Sequence, residues 1–239
     1  MIKHDLPRKK KIAGWIVLIL GLVLYFYLQI LTPAGRLHSN DFKHLYLGAK
    51  ILRQGENPYD DTRFFYEAAR HGFPGVMPYV YLPFTGMILA PLTFFSFRNA
   101  AFIFFIINHL LIFASLYLIF FKSPKPYTLL RIGLWISYLA LFYPLTRNLT
   151  AGQLNVVLLF CFTLIWHLMR RKKNNPAGSV TAFATLFKLS PGIIYLYFLW
   201  RKKFGLFLRS CVAGSVLLLI TIIAFGPGIH LKFIPVMRQ

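Results

Sequence analysis

Acidic side chains are scarce in this chain: 6 Asp and Glu stand against 27 Lys and Arg, and only 14% of residues carry charge. So few charged positions exclude an ordinary soluble domain. The net charge of +21 would suit a nucleic-acid binder, but such proteins carry their charge on a polar surface. Here the basic residues lie between long apolar runs in a chain that is 57% hydrophobic, which excludes nucleic acid as a partner. Cysteine is almost lacking too. Cys161 and Cys211 each fall inside an apolar run, so neither a disulfide framework nor a CxxC metal site is expected. His44, His71, His109 and His230 share no metal-ligand spacing, and Asp60-Asp61 is the one close acid pair of the polar stretch that holds it. P-loop, GxGxxG and GxSxG patterns are absent, so no metal and no cofactor is expected, and neither nucleotide chemistry nor serine hydrolysis has a motif.

What is abundant is apolar length. Residues 12–31 follow Arg8-Lys9-Lys10-Lys11 and contain no charge, enough to cross a hydrocarbon core of about 30 Å as an anchor. Residues 99–121, 129–145, 152–169 and 204–225 are further candidate spans. Two segments are interrupted: 80–97 by Pro83, Gly86 and Pro91, and 179–200 by Lys188, Pro191 and Gly192 at its centre. Basic loops stay on the cytoplasmic side. To keep residues 3–11, the Lys122/Lys125/Arg131 group, 170–173 and 201–203 there together, 80–97 must lie at the outer interface or dip in without crossing, and 179–200 must be a broken hairpin with Lys188 near its tip. The expected fold is all-α, a polytopic transmembrane bundle. Its parts are a cytoplasmic basic tail (1–11), a membrane domain (12–225) with an outer loop at 32–98, and the start of a further outer loop at 226–239. The segment 146–151 reads as a short outer loop, and the N-terminus as cytoplasmic.

The outer loop holds five of the six acids: Asp41, Glu56, Asp60, Asp61 and Glu67. From Asp41 to Gln54, apolar residues recur at 42, 45, 49 and 52, with Lys43, Lys50 and Arg53 opposite and Gly55 as a stop. This predicts an amphipathic helix lying on the membrane. Asp41 stands at its start, where a carboxylate is suited to capping free N–H groups. Residues 61–71 predict a second short helix with its acids on a solvated face. Gln153 and Asn155, at the mouth of a span, are amides suited either to a polar ligand or to helix–helix contact. Asn148-Leu149-Thr150 matches a glycosylation sequon but lies too close to the bilayer to carry a glycan. Lys188 is the strongest anomaly, because a cation at membrane depth is costly and calls for a partner such as phosphate, unless it snorkels to an interface. Arg209 reads as plain snorkelling.

Four stretches resemble glycosyltransferase family 87. They are Asp41-Phe42-Lys43-His44-Leu45-Tyr46 through Gly55-Glu56-Asn57-Pro58-Tyr59; Tyr79-Val80-Tyr81-Leu82-Pro83-Phe84 with Ala90-Pro91-Leu92; Gly152-Gln153-Leu154-Asn155; and Phe187-Lys188-Leu189-Ser190-Pro191. The resemblance covers roughly residues 12–210. It implies the GT-C fold and inverting transfer of a sugar, mannose being the family's best-known one, from a polyprenyl-phosphate donor to a glycan or glycolipid acceptor on the outer face of a membrane, with the bacterial plasma (inner) membrane expected. It implies Asp41 as general base, Lys188 as the donor-phosphate ligand, and His44, Tyr59, Tyr81, Gln153 and Asn155 as substrate contacts. Family members are usually longer, and the chain is expected to lack their C-terminal part. Two other readings remain open: a non-catalytic lipid-phosphate-binding or transporter-like membrane protein, and an inactive fragment of the enzyme.

Overall fold

The computed structural model describes residues 8–37, 41–122 and 127–236, with the backbone alone at Arg8. Asp5, Lys125 and residues 237–239 lie outside the described residues. Within them the chain is all-helical, with no strand.

α1 (Arg8–Tyr25) continues through a π-helical turn (Phe26–Leu31) into the short α2 (Thr32–Ala34), so Lys9–Ala34 forms one apolar span. α6 (Phe97–Phe120) and α12 (Phe204–Phe225) are also long and apolar enough to cross a membrane. α7 (Leu129–Leu141) and α8 (Tyr143–Ala151) make a fourth span if the pair, bent by 57°, is counted as one. The bend has a chemical cause, since Pro144 has no N–H to give the carbonyl of Ala140. Gln29, fully buried, supplies the missing donor: its Nε2 bonds the carbonyls of Ala140 (2.9 Å) and Leu139 (3.2 Å). Its Oε1 accepts from Thr146 Oγ1 at 3.2 Å, so the whole amide is satisfied.

This arrangement corrects the expected short loop at 146–151, which is helical and belongs to α8. Pro144 at the helix start and Gly152 just past its end are the start and stop signals that residue polarity obscured.

α3 (Phe42–Arg53) and α4 (Asp61–Arg70) follow the first span. α3 is the amphipathic helix expected, but protein covers its apolar face. Phe42, Leu45, Leu52 and their neighbours pack against α5 (Pro83–Leu89), the 3-10 turn Ala90–Phe94 and α6. At Gly48 a Cβ would run into the ring of Tyr79, which is 1% exposed, so the close approach of α3 to this ring requires glycine.

Asp60 caps α4, accepting from the N–H groups of Thr62 (3.0 Å) and Arg63 (3.3 Å). Asp60 and Asp61 are exposed as expected, but Glu67 is not on a solvated face. It is 1% exposed and paired with Arg63 (3.0 Å), Lys50 (3.4 Å) and Arg70 (3.4 Å), tying α4 to α3. Position 67 points inward because it shares the helical face of Phe64 and Ala68, both buried. Burial pushes the Glu67 carboxyl up; Lys50, Arg63 and Arg70 outweigh it and hold the pKa below the ordinary value. A depressed carboxyl contributes stability above its unfolded pKa of about 4.3, lost as pH falls through the folded value. Glu67→Gln should therefore cost about 1–2 kcal/mol at pH 7, because three partly exposed cations lose their shared carboxylate. The check is the melting temperature of detergent-solubilised protein: the gap between parent and variant should close below about pH 4. An equal gap at neutral and acid pH would show that the contribution is not ionic.

The short α5 with its 3-10 turn does not reach spanning length. α9 (Asn155–Arg170) leads to α10 (Asn174–Phe187), a 3-10 turn (Ser190–Gly192), α11 (Ile193–Trp200), α12 and α13 (Pro227–Val236). Ala177 near the start of α10, Phe198 near the end of α11 and Leu206 share one apolar cluster. The segment therefore folds back as a broken hairpin, with Lys188 at its tip.

Candidate functional site

Three helix ends meet at one place: the start of α3, the turn between α8 and α9, and the break after α10. Gly152 shapes the second. Its φ of +65° is the left-handed region that favours glycine, and an added Cβ would lie 2.7 Å from Cβ of Phe42. That close approach sets the next residue, Gln153, against the residue before Phe42, which is Asp41.

Gln153 Nε2 donates to Asp41 Oδ2 at 2.7 Å. Its Oε1 accepts from Asn155 Nδ2 (2.9 Å) and Asn148 Nδ2 (3.0 Å). Asn155 Oδ1 in turn accepts from Lys188 Nζ at 2.9 Å. Asp41, Gln153, Asn155 and Lys188 thus form one hydrogen-bonded relay, although the first and last are 147 positions apart in sequence. The expectation that Asp41 caps α3 is not met. The residue has helical φ and ψ and its side chain makes no capping bond, because the carboxylate turns to Gln153.

The break at Lys188 is built from both sides. Pro191 cannot continue the α10 ladder, because it has no N–H to give the carbonyl of Phe187. Lys188 itself is extended (φ −155°, ψ 130°). The carbonyl of Phe187, orphaned by the break, accepts from Thr85 Oγ1 of α5 at 2.8 Å. α5 thereby holds the tip of the hairpin under the relay. Lys188 spends one donor on Asn155 and makes no ion pair among the described residues, which leaves ammonium hydrogens for an anion.

His44 lies one helical turn after Asp41 and stacks flat on Tyr81, centroids 5.7 Å apart at 10°. His44 is 8% exposed; burial pulls its pKa down to about 4, with the charge of Asp41 opposing. Burial, and then Asp41, push the Tyr81 phenol up. Tyr59 donates to the carbonyl of Tyr81 at 2.7 Å. Its own approach is set by Gly55 at φ +78° and by the Asn57 side chain accepting from the Tyr59 N–H. All seven residues expected from sequence therefore lie in one assembly: a relay of four with an aromatic wall of three.

Two members were not expected. Asn148 is 9% exposed and bonds Gln153, so its amide is part of the site and is not a surface sequon. Thr85 anchors the hairpin tip, and no sequence signal marks it beyond its place in the motif after Tyr81-Leu82-Pro83.

Chemically, the relay sets a carboxylate at one end and a primary ammonium at the other, with neutral amides between. Asp41 Oδ1 takes no hydrogen bond from the described residues. The arrangement offers a proton acceptor and an anion holder kept apart by two side chains. A family model described as Glycosyltransferase family 87 matches residues 79–239. Tyr81, Gln153, Asn155 and Lys188 fall within that stretch; Asp41, His44 and Tyr59 precede it and join it through the Gln153 bond and the Tyr81 contacts. Comparisons with curated proteins and with solved structures give no match.

Proposed function

We propose, on the premise that the chain belongs to glycosyltransferase family 87, that this membrane protein moves a sugar, mannose being the first to test, from a polyprenyl-phosphate donor to a hydroxyl of a glycan or glycolipid acceptor, with inversion. The observation that carries the reading is the relay from Asp41 to Lys188. An inverting displacement needs a base on one face of the anomeric carbon and charge relief for the leaving group on the other.

The Asp41 carboxylate takes the proton of the acceptor hydroxyl as its oxygen bonds the anomeric carbon. The bond from that carbon to the phosphate oxygen breaks, and its electron pair leaves with the polyprenyl phosphate. Lys188 then faces more negative charge than in the ground state, so its attraction favours the transition state over the bound donor. Gln153 orients the base and Asn155 the ammonium. His44, its pKa pulled down to about 4 by burial, stacks on Tyr81 as part of the wall. The GT-C architecture and an extracytoplasmic site belong to the same proposal, supported by the outer placement that the basic loops give Asp41.

The test is a transfer assay with the full chain in phospholipid nanodiscs, offering radiolabelled sugar on a polyprenyl phosphate or on a nucleoside diphosphate. The expected result is product from the lipid donor alone, with the anomeric configuration inverted. Transfer only from the nucleotide sugar, or with retention, overturns the reading.

A further inference from the structure

A cavity of about 750 Å³ opens between α6, α7 and the start of α9, a volume typical of a ligand site. Its walls are apolar: Ile112 and Leu116 of α6, Trp135 and Leu139 of α7, Val156 and Leu159 of α9. On α6 the lining runs from Ile112 to Phe120, about 12 Å at 1.5 Å per residue. The end beside α8 carries Arg147, Asn148, Gln153 and Asn155, the one cation and the three amides of the lining. The groove therefore ends on two members of the relay.

Two features of this end suit a head group that carries both a phosphate and a hydroxyl. Arg147 is exposed and makes no ion pair or hydrogen bond among the described residues. An uncompensated guanidinium at the mouth of an apolar groove complements a phosphate, whose oxygens match its fork of donors. Asn148 Oδ1 is buried without a partner although its Nδ2 is bonded. Such an orphan acceptor costs about 1–3 kcal/mol, and a hydroxyl of the arriving head group satisfies it.

We infer that this groove seats the chain of a prenyl phosphate, with Arg147 holding the phosphate from the groove side while Lys188 holds it from the hairpin tip. The inference rests on the proposed donor. It adds a seat for the chain, a second cation for the phosphate and a hydroxyl acceptor in Asn148.

The experiment measures binding of farnesyl phosphate, farnesol and inorganic phosphate to the full chain in phosphatidylcholine nanodiscs. Leu159→Trp fills the groove from α9, and Leu116→Trp fills it from α6 should the first variant misfold. Each groove-filling variant should weaken farnesyl phosphate at least about tenfold and leave inorganic phosphate unchanged. Arg147→Ala should weaken farnesyl phosphate about tenfold while leaving it above farnesol, because Lys188 still holds the phosphate. Parent-like binding in the folded groove-filling variants and in Arg147→Ala overturns the inference, and so does displacement by an equal amount of phosphatidylglycerol, which would mark a general lipid crevice. The two readings fail separately. Groove-dependent farnesyl phosphate binding without sugar transfer would remove the transfer reading and keep the seat. Normal transfer by the groove-filling variants would remove the seat and keep the transfer reading.

Discussion

The Asp41→Asn variant is expected to transfer sugar roughly 10²–10⁴-fold more slowly than the parent, the range for loss of a general base. The substitution is nearly isosteric, and the new amide oxygen still accepts from Gln153 Nε2, so the relay and donor binding should persist. What disappears is the proton acceptor. The pH–rate profile separates this from a base that titrates as an ordinary imidazole. His44 is the other basic group beside the acceptor position, and its pKa is held at about 4 by burial. The parent profile should therefore show no inflection near pH 6.5, where a free imidazole titrates. Such an inflection, kept in Asp41→Asn, would move the role of base to a histidine. Prenyl phosphate binding that survives in a variant with undiminished transfer would remove Asp41 from the chemistry altogether. A non-catalytic binding protein predicts a third pattern, with binding intact and transfer absent from parent and variant alike.

Much of this site was legible because its residues break local rules. Lys188 sits in an apolar run beside Pro191, and Gln153 and Asn155 sit at the head of another; none of the three serves helix propensity or a core. Asp41 was harder to read, since a carboxylate at a helix start has a sufficient local reason to be there, and only the tertiary contact to Gln153 removes that reason. The same limit explains the amphipathic α3. Periodicity gives the apolar face but not what covers it, and α5 with its 3-10 turn takes the place expected for lipid. Glu67 was misread for the complementary reason: its pattern within α4 marks a face, while its three cations come from two helices. The helical state of 146–151 was missed because polar residues suggested a loop where Pro144 and Gly152 already bracketed a helix. Asn148 could have been found from that same bracket, since a side chain in the last turn before a left-handed glycine lies near the residue that follows it.

Lys188→Ala should separate from Asp41→Asn in what it damages. The ammonium is the relay's one cation, and its partner Asn155 is neutral, so the pair has no compensating charge of its own. A lysine held this way between apolar segments is costly to the fold, and removing it should leave the melting temperature unchanged or raise it. Its loss should lower the rate of transfer roughly 10²–10³-fold, the effect of deleting one preorganised donor from a developing negative charge. It should also weaken prenyl phosphate, an effect that the base variant lacks. Lys188→Arg keeps the charge but replaces a compact ammonium by a broad fork, so it should recover binding more fully than rate, because the anomeric carbon must still meet Asp41 in line. Salt gives a further control: if Lys188 faces phosphate, the affinity of the parent falls as ionic strength rises, and that dependence is reduced in Lys188→Ala. If Lys188→Ala binds prenyl phosphate like the parent and transfers at full rate, the cation serves the hairpin tip alone. The relay would then be a structural strut joining α3, α9 and α10, and Asp41 would have to work without a fixed partner for the leaving group.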